Sequence, residues 1–414
     1  MAEDLILLVV VATALAFDFT NGFHDTGNAT AASIATGALR PRVAVGLSAA
    51  LNVVGAFLSL EVAKTIAGGI VDAGTITLTV VFAGLLGAIT WNLLTWLLGL
   101  PSSSSHALIG GVVGATLAAL GTSAVNGTAI VQKVLIPAVL APVIAGGVAI
   151  LGVRLAARLT RRASRERSER GFRLGQIASA SMISLAHGTN DAQKTMGIIT
   201  LALVAHGTIG ADAGVPAWVV LSAALAIGAG TYMGGWRIIR TMGTRLTEIT
   251  PVQGFSSDSA AATVILTSSH FGFPLSTTHV ASGAIMGSGV GARGAQVRWR
   301  VAGRMAIAWI ITLPAAGLVG AAMYGLAEGI GGNTGVVVVA ALGAAMATGF
   351  WIVSRRDRVH AGNVTETAAP LTIEVVAAEG GEPAAEPAPA PTATAPRARA
   401  DAPPEGRAMS GAGA

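Results

Sequence analysis

The sequence predicts an all-α polytopic membrane protein with about eleven transmembrane segments in two inverted repeats, some of its helices broken or re-entrant. Three observations predict this: a composition poor in charge, Arg residues gathered in short loops, and polar motifs that recur in pairs within apolar stretches. Only 11% of the 414 residues are charged and 52% are hydrophobic, with a mean hydropathy of +0.67. A water-soluble domain carries about 25% charged residues, so lipid is the solvent for most of this chain. One crossing of a ~30 Å hydrocarbon layer takes ~20 residues of helix. The apolar stretches have that length, and strand alternation is nowhere sustained. Gly is frequent (54 residues) and lies mostly within these stretches, where small residues let helix backbones approach. The chain has no Cys, which excludes disulfides, thiolate metal sites and cysteine nucleophiles together.

The opening MAEDLILLVV carries acids where a secretory signal carries positive charge, and it reads as the start of a retained first helix. Spans follow at roughly 5 to 38, 43 to 66, 76 to 100, 104 to 121 and 130 to 153. Five crossings invert the chain. Residues 154 to 173 then carry eight Arg and two Glu, a basic linker expected in the cytoplasm by the positive-inside rule. The amino terminus is therefore expected outside. The second half offers spans near 174 to 204, 217 to 236, 253 to 271, 277 to 290, 302 to 325 and 333 to 352. With the linker inside, the loops holding Arg40 and Arg42, Arg237 to Arg245, Arg293 to Arg300, and Arg355 to Arg358 all fall on the cytoplasmic side. The sequence pI near 10.4 is thus accounted for without nucleic acid. The segments beginning at Pro101 and Pro274 either cross or re-enter, and the inversion holds in both cases. The expected organisation is a first membrane repeat (1–153), the basic linker (154–173), a second repeat with a final helix (174–358), and a Pro/Ala-rich disordered cytoplasmic tail (359–414) with no role in transport. A multi-pass plasma-membrane location follows.

Two polar islands interrupt the apolar first half, NGFHDTGN at 21–28 and PSSSSH at 101–106, and each has a counterpart in the second. HGTNDAQK at 187–194 aligns Gly188 and Asp191 with Gly22 and Asp25, and PLSTTH at 274–279 aligns with PSSSSH residue for residue. The likeness continues as HxxxGxxxG from His106 through Gly110 and Gly114, and from His279 through Gly283 and Gly287. An odd number of crossings between the copies makes the repeat inverted, the plan of alternating-access transporters with a site near the midplane. An ionised Asp25 or Asp191 inside an apolar stretch costs at least ~2.5 to 3.5 kcal/mol on insertion scales. Capping a helix or pairing with Lys194 would offset that cost structurally, but recurrence in both halves favours a site. Ser102 to Ser105 and Ser276 to Thr278 follow a Pro, the pattern of a helix start, where free amides and hydroxyls suit an anion as well as ordinary capping. His106 and His279 stand as secondary candidates, to orient a hydroxyl, take a proton or simply pack. Lys194 serves either to attract an anion or to neutralise Asp191. Carboxylates repel an anion, so a site with both needs a cation between them: a proton, Na⁺ or a divalent metal.

The islands resemble the two signatures of the inorganic phosphate transporter family, approximately GxNDxxN in each half, here GFHDTGN and GTNDAQK. His24 in the first copy and Lys194 in the second depart from that pattern toward the bacterial low-affinity permease branch. The resemblance covers about residues 5 to 353 with four ordered motifs. It implies a symporter that imports inorganic phosphate, in this branch often as a metal phosphate complex, with protons or sodium. It further implies phosphate contacts from Asp25, Asn28, Asn190, Asp191 and the hydroxyls Ser103, Ser104, Ser105, Ser276, Thr277 and Thr278. His24, Asp25, Asp191, Lys194 and Asp258 become the coupling-cation or proton candidates, Asp258 by its place before Pro274. No cofactor is expected beyond the co-transported ion. Phosphate and membrane lipid are the expected partners, nucleic acid is not, and the oligomeric state stays open, a homodimer included. The first rival is a permease for sulfate, which lacks the proton that hydrogenphosphate can donate to an Asp. An intramembrane hydrolase is a distant rival, since neither HExxH nor a GxSxG turn is present. The expectation is therefore a transporter and not an enzyme.

Overall fold

Backbone amides in hydrocarbon have no water to bond, and the helix satisfies them within one segment. The computed structural model describes residues 2–72, 74–294 and 296–366. Among these the chain forms fourteen α-helices and no strand beyond two isolated bridges. They are α1 (Ala2–Ala35), α2 (Pro41–Gly55), α3 (Glu61–Gly69), α4 (Leu78–Leu97), α5 (Ser104–Leu120), α6 (Gly127–Ile130) and α7 (Ile136–Leu159), followed by α8 (Arg165–Ala205), α9 (Ala217–Met233), α10 (Trp236–Arg240), α11 (Pro251–His270), α12 (Thr277–Gly291), α13 (Trp299–Ile330) and α14 (Gly332–Ser354). A π-helical turn, Val131–Leu135, joins α6 to α7 into one 33-residue element.

Five elements have both the length and the hydropathy for a crossing: α1, α4, the joined α6–α7, α13 and α14. A sixth is α9 with the Trp236–Arg245 segment, bent by 60°. Of the other expected crossings, those near 104 to 121, 174 to 204, 253 to 271 and 277 to 290 carry or adjoin the polar islands. α8 is 41 residues long, but its polar side chains dilute its hydropathy. α5 and α12 have 17 and 15 residues, or about 25 and 22 Å at 1.5 Å per residue, short of a ~30 Å layer.

The clearest departure from expectation is at 43 to 66, which forms two helices, α2 and α3, and not one span. The cause is tertiary. Thr189 on α8 donates its hydroxyl to the Gly55 carbonyl at 3.0 Å, and Gln193 Oε1 accepts from the amides of Val62 and Ala63 at 2.8 and 3.2 Å. One helix end and the next helix start are thus both satisfied by side chains of α8. The expected linker also shortens, since α7 runs to Leu159 and α8 begins at Arg165, leaving only residues 160–164 between them. Of the expected tail, residues 359–366 pack on the bundle: Val364 is buried, and Arg240 donates to the Asn363 carbonyl at 3.0 Å. Residues 367–414 lie outside the described residues.

Four helix contacts position the centre of the molecule: α1 on α9, α8 on α2, α5 on α13, and α12 on α7. Glycine makes each close. A Cβ on Gly22 would lie 2.9 Å from the Thr231 amide of α9, and one on Gly188 would lie 2.5 Å from the Asn52 Cα of α2. Gly114 of the first HxxxGxxxG faces Gly317 of α13, and Gly287 of the second faces Gly146 of α7, with a Cβ 2.5 Å from the opposing Cα in both cases. These glycines let helix axes approach to backbone contact.

Overpacking a tight contact costs ~1–3 kcal/mol or more, and at Gly287 the obstacle is rigid backbone. A Gly287→Val variant is expected to melt well below the parent in detergent, by scanning fluorimetry. Gly147→Val, on α7 with nothing within 4 Å of its Cβ, should melt with the parent. Equal midpoints for the two variants would show that the α7–α12 approach is not tightly packed.

Candidate functional site

α1 and α8 run unbroken through the first and third polar islands, so the backbone there is spent on helix and only side chains are offered. On α1 the spacing of Asp25 and Asn28 is one helical turn, and on α8 so is that of His187, Asp191 and Lys194, which aligns each set on one face. The two faces meet. One ligand atom each from Asp25, His187 and Asp191 lies within 4.8 Å of the others, and all three side chains are buried. Two carboxylates so close in a low-dielectric setting repel strongly unless a positive charge stands by. Lys194 supplies one such charge, with Nζ 2.5 Å from Asp191 Oδ1, 2.6 Å from Ser105 Oγ and 2.9 Å from the Leu275 carbonyl. Its three protons are all committed. Of the two roles considered for Lys194, neutralising Asp191 is the one this geometry performs. His187 Nε2 lies 3.0 Å from Asp191 Oδ2 without hydrogen-bond alignment, and its Nδ1 is 3.2 Å from Asn52 Oδ1.

Asp25 has a different set of partners. His24 Nδ1 lies 2.7 Å from Asp25 Oδ1, Thr278 donates to the same oxygen at 3.2 Å, and Ser104 donates to Oδ2. The other nitrogen of His24 is held by Thr95 (3.2 Å) and Ser102 (3.3 Å), which bond each other at 2.8 Å. Thr277 donates to Asp191 Oδ2 at 3.1 Å, and Asn28 donates to Thr277 and Thr278 at 3.3 and 3.0 Å. The starts of α5 and α12 therefore converge on the two carboxylates from opposite halves of the chain. Within each hydroxyl run the labour is divided. Ser103 and Ser276 cap their helices by accepting from the His106 and His279 amides at 3.1 and 3.3 Å, while Ser104, Ser105, Thr277 and Thr278 turn inward.

The remaining candidates sit at the edge of this cluster or away from it. Asn190 donates to Ser269 at 2.9 Å and to the Phe273 carbonyl at 3.4 Å, tying down the turn that precedes α12. The side-chain oxygens of Asn28 and Asn190 are buried with no partner. His106 and His279 meet edge to face, 4.8 Å between ring centres, and His279 lies 4.2 Å from the Trp309 ring with Nδ1 at 3.2 Å from the Ala138 carbonyl. They pack α5 against α12 below the cluster. Asp258 is buried on α11 beside Gln176, fifteen residues along α8 from Asp191, or about 22 Å at 1.5 Å per residue. The structure does not bring Asp258 to the other candidates. A cavity of about 750 Å³ opens on another face of α1, lined by Phe19, Phe23, Leu86 and Trp351 among others and by none of the candidates. Its walls are mostly apolar, with Arg237, Arg355 and Arg358 among the lining residues.

Residues 21–169 and 154–320 match the phosphate transporter family, and together they include every residue of the cluster. The chain belongs to the phosphate transporter family. It is 61% identical over 360 residues to a Mycobacterium bovis protein named "Probable low-affinity inorganic phosphate transporter", covering 87% of this chain and 86% of that one. A Bacillus subtilis protein of the same name is 44% identical over 322 residues, covering 77% and 96%. The fold is similar to that of a solved sodium-dependent phosphate transporter, with a TM-score of 0.68 at 23% identity, over 77% of this chain and 98% of that one.

In this family member, three features of the cluster were not picked out from the sequence. His187 stands one turn before Asp191, and the HxxxD spacing within the second island is a signal that was there to use. Asn52 and Thr95 lie in apolar spans outside the motifs, and only the tertiary contacts reveal them. Removing Lys194 would leave Asp191 an uncompensated buried charge, at a cost of ~3–5 kcal/mol. Lys194→Met is expected to melt well below the parent, and adding Asp191→Asn to recover most of the loss. Additive losses in the double variant would show that the two side chains are not coupled.

Proposed function

We propose that the protein is a symporter that imports inorganic phosphate across the plasma membrane, with a cation held between Asp25 and Asp191. The observation that carries this reading is the meeting of two buried carboxylates with two hydroxyl-lined helix starts in one cluster, within a chain of the phosphate transporter family. The inward hydroxyls of Ser104, Ser105, Thr277 and Thr278 and the free amides of the α5 and α12 starts suit phosphate oxygens. The carboxylates forbid a bare dianion, which makes phosphate uptake depend on a cation.

The donor set also fits a divalent metal travelling with phosphate as cargo. Asp25, His187 and Asp191 offer three convergent ligand atoms, and the unpartnered side-chain oxygens of Asn28 and Asn190 lie on the same helices. With Lys194 balancing Asp191, the cluster keeps one net negative charge. A neutral metal phosphate leaves that charge unchanged, so one proton or Na⁺ brings the loaded site to neutrality, and neutrality is the cheapest state to move through hydrocarbon.

The architecture proposed is two inverted repeats, 1–153 and 174–358, joined by the basic segment 154–173. Support comes from the exchange of equivalent contacts: α1 packs on α9 as α8 packs on α2, and α5 packs on α13 as α12 packs on α7. In every one of these contacts a helix of one half lies against a helix of the other, a relation that gives one half a fulcrum on its counterpart. The Arg-bearing loops favour an amino terminus outside and a carboxyl end in the cytoplasm.

Uptake of labelled phosphate into proteoliposomes under separately imposed proton and sodium gradients, with and without a divalent metal, tests the reading. Phosphate accumulation driven by one of the gradients and resistant to excess sulfate is expected. Asp25→Asn and Asp191→Asn should each abolish it in folded protein. Normal cation-dependent uptake by either variant would make that Asp structural, and accumulation of sulfate in place of phosphate would reassign the substrate.

A further inference from the structure

Asp18 lies on α1 two turns before Asp25, is wholly buried, and has no hydrogen-bond partner on either carboxyl oxygen. α1 is continuous helix from Ala2, so Asp18 caps nothing, and among the described residues no cation forms an ion pair with it, Lys194 acting only through space. By contrast, Asp25 and Asp191 accept at both oxygens. A bare carboxylate in this setting costs several kcal/mol. A residue kept at that cost without a partner in the fold calls for a partner that comes and goes.

The surroundings have the right chemistry for one. Asn21 of α1 and Thr195 of α8 stand beside the Asp18 carboxyl, and Asp191 and Lys194 are the charged groups within electrostatic reach. The Asn21 amide, both atoms, and the Thr195 hydroxyl are likewise buried and without a hydrogen-bond partner. Three side chains from two helices therefore converge with a carboxylate, a carboxamide oxygen and a hydroxyl unspent. These are hard oxygen donors, suited to a proton or an alkali cation and poorly suited to a soft transition metal. Asp18, Asn21, Asp25 and Asn28 repeat at intervals of three, four and three residues. They form one stripe of about 15 Å along α1, which connects this place to the carboxylate cluster. When Gly22 and Asp25 are aligned with Gly188 and Asp191, Asp18 falls opposite Ser184. The acid exists in one half only, on the side of the cluster toward the amino end of α1.

We propose that Asp18, with Asn21 and Thr195, forms a second cation site that takes a further monovalent coupling cation, a proton or Na⁺, in addition to the cation held with phosphate at Asp25 and Asp191. The proposal rests on the reading of the protein as a cation-coupled phosphate importer. It divides the work: the Asp25–Asp191 cluster holds the cargo, and Asp18 ties its movement to the gradient.

The full chain in proteoliposomes supplies two readouts. Accumulation of labelled phosphate under a proton or a sodium gradient requires coupling, whereas phosphate exchange between equal solutions requires the cargo site to shuttle but no net flow of cation. Asp18→Asn is expected to lower gradient-driven accumulation by about tenfold or more while exchange continues at a similar rate. Asp18→Glu should restore part of the accumulation. The gradient that drives the parent protein names the cation. Full accumulation by Asp18→Asn would overturn the proposal. So would loss of exchange together with accumulation in a variant that melts with the parent, because Asp18 would then belong to the cargo site. A parent protein driven by neither gradient would overturn the symport reading itself, and this site with it.

Discussion

Two carboxylates held within 4.8 Å of each other, away from water, are the constraint around which this molecule is organised. Neither charge is tolerable alone in a low-dielectric interior, and together they repel. The surrounding structure answers with one ammonium, two histidines and the hydroxyls of two helix starts. The answer is partial. One positive charge against two negative ones leaves the cluster short of one positive charge, and on the symport reading that deficit is the place of a coupling cation.

Bringing those groups together demands a particular arrangement of helices. α1 and α8 must pass the centre unbroken so that their polar stripes face each other, while α5 and α12 must begin there so that amides and hydroxyls arrive end-on. Glycine provides the clearance. Gly22 and Gly188 seat α1 and α8 against α9 and α2, and Gly114 and Gly287 seat α5 and α12 against α13 and α7. Where a side chain of α8 claims a backbone group of its neighbour, as Thr189 does at Gly55, the neighbour breaks into two helices. Polar chemistry at the centre thus dictates the irregular backbone around it.

This also explains what could be read in the sequence and what could not. The polar motifs were legible because they stand out against an apolar background and occur twice, so Asp25, Asp191 and the two hydroxyl runs could be singled out from position, and the structure brings them together. Helix type and approximate span followed from hydropathy. The break between α2 and α3 was invisible, since residues 56–60 carry no Pro and the interruption is imposed by Gln193 and Thr189 from another helix. Asn52 and Thr95 were equally silent, because an isolated amide or hydroxyl in an apolar span is uninformative until its neighbours are known. Asp258 was the reverse case, conspicuous in sequence yet placed beside Gln176, far along α8 from the cluster.

The inequality of the two halves carries the last step. Asn28 and Lys194 occupy matching positions in the aligned islands, yet one is neutral and the other charged. Lys194 commits its protons to Asp191, Ser105 and the Leu275 carbonyl, so Asp191 is compensated by a group that cannot leave. Asp25 is held by two hydroxyls and by His24, whose charge depends on its proton. On the symport reading, a cation is attracted chiefly to the carboxylate that lacks a fixed partner, and its departure leaves hydrogen bonds behind to stabilise the empty state. A site with a lysine in both halves would hold an anion without a cation, and a site with none would require two. On that reading one lysine sets the requirement at an intermediate value, which is what a cluster needs if it is to load with a cation present and release when the cation leaves.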